Sequence, residues 1–423
     1  MISKFQNFIK KEKRLVGNFF SLSVLQVFTY VLPLLVLPYL VRTLGVEKFG
    51  LVAFAQSFIM FFNIIVDFGF TLSATREISV NREDEEKVTE IFSSVIIIKC
   101  ILIVLSYLIM NIIVFSYAKF AKEWILFNLS FLWVIGQAMF PIWYFQGMER
   151  MKYITIVNVT SKILFTLLIF LFIHNSSDYI YVPLLNGGGM VTGGILSLLF
   201  IKKAFSQRFR FYNTKTVLYH FRESSHFFLS RVAVSIYTTS NTFLLGIFTN
   251  NTMVGYYSIA EKLYQAILGF YQPIVQALYP YVAKERNITL FKKLFIVLVG
   301  INILGIVLLY FIGSDIFDLL FSNNLGTESL EVFHIFLIAS LIVVPSILLG
   351  YPFLGALGFS KYANLSVIYG SVFHLLGLGL LASFGKINIY SVAILVIGTQ
   401  IVDLTYRLFG VYKENLWLIK GKS

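Results

Sequence analysis

Eight ionisable residues lie inside stretches that are otherwise apolar: Asp67, Lys99, Lys162, Arg231, Glu261, Lys262, Asp403 and Arg407. A charge at the centre of a bilayer costs roughly 2.5–3.5 kcal/mol even on the mildest scale, so such groups face a protein interior, a wet cavity or one another. Five of the eight are cations and three are acids. A water-filled cavity with that excess suits an anion, because guanidinium and ammonium groups are the natural partners of phosphate oxygens. In a membrane, the amphiphilic anion that fits is a lipid phosphate or diphosphate.

Spacing sorts these residues. Asp403 and Arg407 are four apart on one helix face, near the cytoplasmic end of that helix. A local ion pair with a snorkelling arginine accounts for them without a ligand. Lys99 lies about two turns from the cytoplasmic end of its run, within partial snorkelling reach. Lys162 is nine residues into its run, about 14 Å deep at the standard helical rise and close to the midplane. Arg231 is about two turns into its helix, and Glu261 with Lys262 about two turns into the next from the opposite side. Being adjacent, Glu261 and Lys262 point to different faces and do not simply neutralise each other. Arg231 and Lys262 are therefore the first candidates to hold an anion, followed by Lys162 and Lys99. Asp67 and Glu261 read as cavity acids, Asp67 pairing with one of the cations or binding a coupling cation. Arg76 and Glu77 lie at the cytoplasmic exit beside the charged loop NREDEEK and read as unremarkable.

The elements that must position these groups follow from composition. Of 423 residues, 58% are hydrophobic and 13% charged, against about 25% charged in an ordinary soluble domain. A spanning helix needs about 20 apolar residues, and twelve such runs occur. Six lie near 16–41, 49–72, 91–114, 124–145, 153–173 and 179–201; six more lie near 224–248, 254–280, 293–312, 333–355, 363–384 and 388–412. The longest connection, 202–223, divides them into two sets. Lys and Arg number twenty-four in the termini and even-to-odd connections but five in the odd-to-even ones. That asymmetry places both termini in the cytoplasm.

The formal charge of +13 thus serves topology rather than nucleic-acid binding. The 202–223 connection mixes Lys202, Lys203, Arg208 and Arg210 with Phe205, Phe209 and Phe211, and reads as an interfacial helix on an anionic leaflet. KFGLVAFAQ (48–56) aligns with MVGYYSIAE (253–261) at an offset of 205 residues, each opening the second helix of its half. An even number of helices per half gives both halves the same orientation, as in parallel-repeat transporters. The expected architecture is an all-α integral membrane protein of twelve transmembrane helices. Its two six-helix lobes, 1–201 and 224–423, are joined by the cytoplasmic linker 202–223.

No HExxH, CxxC, GxSxG or GxxxxGK[ST] motif occurs, and none of the five histidines has a partner at metal-ligand spacing. No metal, cofactor or catalytic group is expected. NGGGMVTGG (186–194) lacks the Lys-Ser/Thr of a phosphate loop and reads as close helix packing or a flexible point.

Several stretches resemble the polysaccharide transporter branch of the MOP flippases, in particular the O-antigen repeat-unit (Wzx-type) flippases. They are PYLVRTLGVEKFGLVAFAQS (38–57), VDFGFTLSATREIS (66–79), PIWYFQGMERMKYI (141–154) and GYYSIAEKLYQ (255–265). The W-x-F-Q-G-x-E pattern from Trp143 to Glu149 is the most specific, and the twelve-run spacing extends the likeness over essentially the whole chain. The resemblance implies two MATE-like six-helix lobes around a central cavity that opens alternately to each side. The cavity is lined in relatives by helices 1, 2, 7 and 8. That gives weight to Arg42, Asp67, Arg231, Glu261 and Lys262, and takes some from Lys162. It further implies an undecaprenyl-diphosphate-linked glycan as cargo, H+ or Na+ as coupling ion, and residence in the bacterial inner membrane among its lipids. Polysaccharide polymerase machinery is the implied protein partner, and the protein itself is not an enzyme. Lipid II flippases of the superfamily usually have fourteen helices, and its multidrug exporters handle organic cations. A glycan polymerase or ligase is a rival from another class. The connection near 313–332 is too short for the large periplasmic loop of such enzymes and carries no Arg or Lys.

Overall fold

The computed structural model describes residues 13–321 and 325–417, with side chains described outside 13–24, 27 and 229–238. Among the described residues every regular element is helical. The first, α1 (Lys13–Asp67), runs for 55 residues and is broken only at Gly45, whose φ of 76° leaves the helical region. At 1.5 Å per residue that is about 80 Å, enough for two passes through a ~30 Å hydrocarbon core. The apolar stretch resumes as α2 (Phe70–Val80), α3 (Glu85–Ser116), the short α4 (Ala118–Ala121), α5 (Trp124–Met139) and α6 (Ile142–Gly147). Then come α7 (Met151–Phe172), a 3₁₀ turn (Ser176–Ile180) and α8 (Tyr181–Ala204). The second half consists of α9 (Thr214–Phe248), α10 (Asn251–Glu285), α11 (Ile288–Phe321), α12 (Thr327–Leu349), a π turn (Gly350–Gly355), α13 (Ser360–Ser383) and α14 (Ile389–Lys413).

Nine helical stretches among the described residues are long and apolar enough to cross a membrane, and one of them, Phe28–Val80, is the double-length helix. The 35-residue helices α9 and α10 are long enough but too polar to join that set. Counting these two, and both passes of the long helix, agrees with twelve. Large apolar side chains lie exposed along α3, such as Ile101, Val104 and Leu108, and along α11, such as Ile301, Leu304 and Leu308. In an aqueous protein such stripes would be aggregation surfaces; against lipid tails they are the solvated face.

The chain forms two compact units. One holds the described parts of Met1–Val36 and Ala55–Ile236, the other those of Leu37–Phe54 and Tyr237–Ser423. In the first unit α5 and α8 pack closely through the glycines of NGGGMVTGG. A Cβ at Gly187 would lie 2.6 Å from the Leu132 Cβ, and one at Gly194 2.6 Å from the Met139 Cβ. The segment is a packing seam inside a continuous helix, the small-residue device expected where helices associate in lipid. Beside it Phe92, Trp143, Tyr144 and Phe145 form a buried aromatic core, which places the W-x-F-Q-G-x-E motif in packing.

The linker departs from the expected interfacial helix. Residues 205–213 are not helical. Ser206 takes a left-handed φ of 51°, and the linker is fastened to another helix by one backbone and one side-chain donor. The Arg210 N–H donates to Ser93 Oγ (3.0 Å), and the Gln207 side chain donates to Thr89 Oγ1 (2.7 Å). Helix resumes at Thr214, ten residues before the apolar run.

Candidate functional site

Asp67 ends the long helix because the next two residues are both left-handed, Phe68 at φ 45° and Gly69 at φ 78°. Only glycine adopts that region without strain, and a Cβ at Gly69 would lie 2.8 Å from the Phe228 backbone nitrogen. The break in V-D-F-G-F therefore lets α9 approach closely and leaves Asp67 at a helix end inside the span. Its carboxylate accepts from Thr71 Oγ1 (2.8 Å) and lies 3.9 Å from Lys99 Nζ.

Lys99 is 4% exposed, so it does not snorkel. Fourteen residues into α3, it is about 21 Å from the start of its helix and turns inward to Asp67. The structure thus brings Asp67 and Lys99 together. Lys162 is half-buried on α7 and donates to Thr29 Oγ1 (2.8 Å). Arg42 is exposed and donates to the Leu319 carbonyl. Glu261 accepts from Thr242 Oγ1 (3.3 Å). Lys262, beside it on α10, interacts electrostatically with Glu261. The side chain of Arg231 lies outside the described residues.

Arg407 corrects the snorkelling expectation. It is 8% exposed and Asp403 5%. Its Nε donates to Ser366 Oγ (2.8 Å) and its Nη1 to the Ser346 carbonyl (2.6 Å). A Cβ at Gly350 would sit 3.0 Å from Nη1. The guanidinium is thus anchored where α12 gives way to the π turn, a place that offers a carbonyl to a buried donor.

Three features escape a sequence reading of intramembrane charges. The first fastens the start of α9 to α2 and α3. His220 is buried between two carboxylates: Nε2 is hydrogen-bonded to Glu90 Oε1 (3.2 Å), and Nδ1 lies 2.9 Å from Glu77 Oε2, out of line for a full hydrogen bond. Lys87 Nζ also donates to Glu90 (2.6 Å). One turn on, Ser73 and Ser224 share a hydroxyl hydrogen bond of 2.7 Å, and Phe68 stacks on Phe221 and Phe228 at 4.4 and 4.6 Å. Glu77 is therefore a contact residue and not a solvated exit charge.

The second feature joins α1 to α10. A Cβ on Gly50 would fall 1.8 Å from the Asn251 carbonyl oxygen and 2.6 Å from the Gly255 nitrogen, and one on Gly255 2.4 Å from the Val46 oxygen. Gly50 and Gly255 are 205 positions apart, so equivalent residues of the repeat meet. The offset in the sequence was the signal for that contact. The third is His374, buried and bridging Thr399 Oγ1 (2.7 Å) and Asn241 Oδ1 (2.8 Å), for which a lone histidine in an apolar run gives no signal.

Residues 15–286 match the family model described as polysaccharide biosynthesis protein. The chain is 31% identical over 289 residues to a "Putative O-antigen transporter" of Escherichia coli (strain K12), covering 65% of this chain and 68% of that one. It is 28% identical over 350 residues to the protein of the same name from Shigella dysenteriae, covering 82% and 88%. Among solved structures, the lipid II flippase MurJ in an inward closed conformation superposes with a TM-score of 0.71 at 17% identity, covering 94% of this chain and 88% of that one. An inward-facing multidrug MATE transporter of the MOP superfamily superposes at 0.68 and 14% identity, covering 94% and 98%. At such identities these structures establish the fold.

Proposed function

Because the chain belongs to the polysaccharide biosynthesis protein family, we propose that it is a flippase for a diphosphate-linked oligosaccharide. In this reading it carries a polyprenyl-linked O-antigen or similar repeat unit from the cytoplasmic to the periplasmic leaflet of the bacterial inner membrane. The observation that carries the reading is the polarity of α9 and α10. Two helices of 35 residues in a membrane fold keep Arg231, Asn241, Thr242, Glu261 and Lys262 where apolar side chains would insert better. Such residues persist in a bilayer where they line a wet path for a polar cargo.

Arg231 and Lys262 are the proposed partners of the diphosphate, with Arg42, Lys162 and Lys99 as further cations of the path. Lys262, whose described electrostatic neighbour is the adjacent Glu261, takes the anion as a further counter-ion. Lys99 is already balanced by Asp67, so it serves the anion only when that pair opens. Asp67 and Glu261 are the proposed acids for a coupling H+ or Na+. The two six-helix lobes, 1–201 and 224–423, rock about the linker 202–223. Access from the linker side requires the start of α9 to leave α2 and α3, which breaks the His220, Ser224 and Phe221 contacts. Access from the other side requires the Gly50–Gly255 crossing to part. The carrier performs no covalent chemistry.

The test is depletion of the protein followed by mass analysis of lipid-linked glycans. Accumulation of a complete, unpolymerised repeat unit on its diphosphate carrier is expected. Accumulation of an unfinished unit would assign an enzymatic step instead. Orientation is checked by reporter fusions, expected outside at Ser176 and inside at Phe209.

A further inference from the structure

A cleft of about 750 Å³ opens where the linker crosses α3 and α8. Its three walls are chemically distinct. From α3 come Phe92 and Ile96, one turn apart on one face; from α8 come Leu198 and Ile201, with Lys202 on the same stripe. The linker closes the third side with Ser206, Gln207, Arg208 and Phe209. The floor is apolar and the rim holds two cations, a hydroxyl and an amide, with no acid among the lining residues.

The cleft is built by specific bonds. Gln207 donates to Thr89, accepts from the Tyr144 hydroxyl (3.4 Å) and gives its backbone N–H to the Ile201 carbonyl (3.4 Å), while Arg210 is held by buried Ser93. These contacts draw the linker into an extended strap and leave Lys202 and Arg208 exposed at the rim. From there the exposed residues Leu199 and Ile195 continue down α8, and Cys100 and Val104 continue from Ile96 down α3. Exposed side chains thus continue from the cationic rim along both helices.

We infer that this cleft binds an anionic glycerophospholipid of the surrounding bilayer. The phosphate sits between Lys202 and Arg208, and one acyl chain lies over Phe92, Ile96 and Leu198. Arginine and lysine at a membrane boundary are the residues that pair with phosphate oxygens, and the apolar floor supplies the contact a free phosphate would lack. A bound lipid there would brace the strap against α3 and α8.

The full-length protein, purified in detergent and equilibrated with equal amounts of phosphatidylglycerol and phosphatidylcholine, is analysed by native mass spectrometry. Selective retention of one phosphatidylglycerol is expected. The Lys202→Gln, Arg208→Gln double variant should lose that preference by roughly 30-fold, about fivefold per juxtamembrane cation. Leu198→Trp fills the floor and keeps the charges, and should also expel the lipid. Excess inorganic phosphate should leave it in place. Equal retention of both lipids, unchanged retention by the double variant or by Leu198→Trp, or displacement by inorganic phosphate would each overturn the inference.

Discussion

Replacing His220 with alanine should release the start of α9 from its seat. Both ring nitrogens face carboxylates, Nε2 hydrogen-bonded to Glu90 and Nδ1 2.9 Å from Glu77. The alanine variant removes one hydrogen bond to a carboxylate and one close contact, and leaves two carboxylates facing a shared space. A hydrogen bond to a charged group contributes about 1.5–3 kcal/mol. Both carboxylates are 23% exposed, so water recovers part of the loss. A net loss of about 1–2 kcal/mol follows, and at 1.4 kcal/mol per factor of ten the seated form declines roughly 5- to 30-fold relative to the released one. The neighbouring serines provide the assay. With their hydroxyls 2.7 Å apart, Ser73→Cys and Ser224→Cys place two thiols within disulfide reach. In a Cys100→Ser background the pair should crosslink readily, and adding His220→Ala should slow crosslinking markedly. Gln at both Glu77 and Glu90 should slow it less, because no like charges are left opposed. An unchanged rate in the His220→Ala background would refute the reasoning.

Gly50→Val should abolish surface glycan display with normal membrane insertion, since its side chain would occupy the Asn251 carbonyl; Gly255→Val should do the same, and display assayed beside membrane protein level checks both. Arg231→Ala and Lys262→Ala should each abolish or sharply reduce display, while Arg231→Lys retains part of it because charge survives without the bidentate fork. Arg407→Leu should destabilise the protein by about 2–4 kcal/mol, since it leaves the buried Ser366 hydroxyl and Ser346 carbonyl without their donor, read as the melting temperature in detergent.

Hydrophobicity made the spans legible, because a bilayer requires long apolar runs and little else in the chain resembles them. It did not mark where helices end. Thr214–Phe221 continues α9 with polar residues, since beyond the hydrocarbon a helix can rest on its neighbours. The linker's form is not legible for the complementary reason. Its basic-aromatic mixture suits an interfacial helix, but its partners, Thr89 for the Gln207 side chain and Ser93 for the Arg210 backbone, lie more than a hundred positions away, where no local pattern points. The same holds for Lys99. Its depth permits snorkelling, and only the fold places Asp67 3.9 Å from its ammonium. Glu77 reads as an exit charge until His220, itself unmarked and more than a hundred positions on, packs against it. The glycine pair was legible in principle, because the repeat alignment puts Gly50 opposite Gly255.

The most direct test of the central claim is transport by the purified protein in liposomes. A polyprenyl-diphosphate oligosaccharide is incorporated into both leaflets, and an impermeant glycosidase is added outside. With the protein present, cleavage should proceed to near completion as the inner-leaflet pool emerges. The Arg231→Ala, Lys262→Ala double variant should stop at the outer-leaflet fraction, as protein-free liposomes do. Wild-type protein that also stops at that fraction would contradict the account.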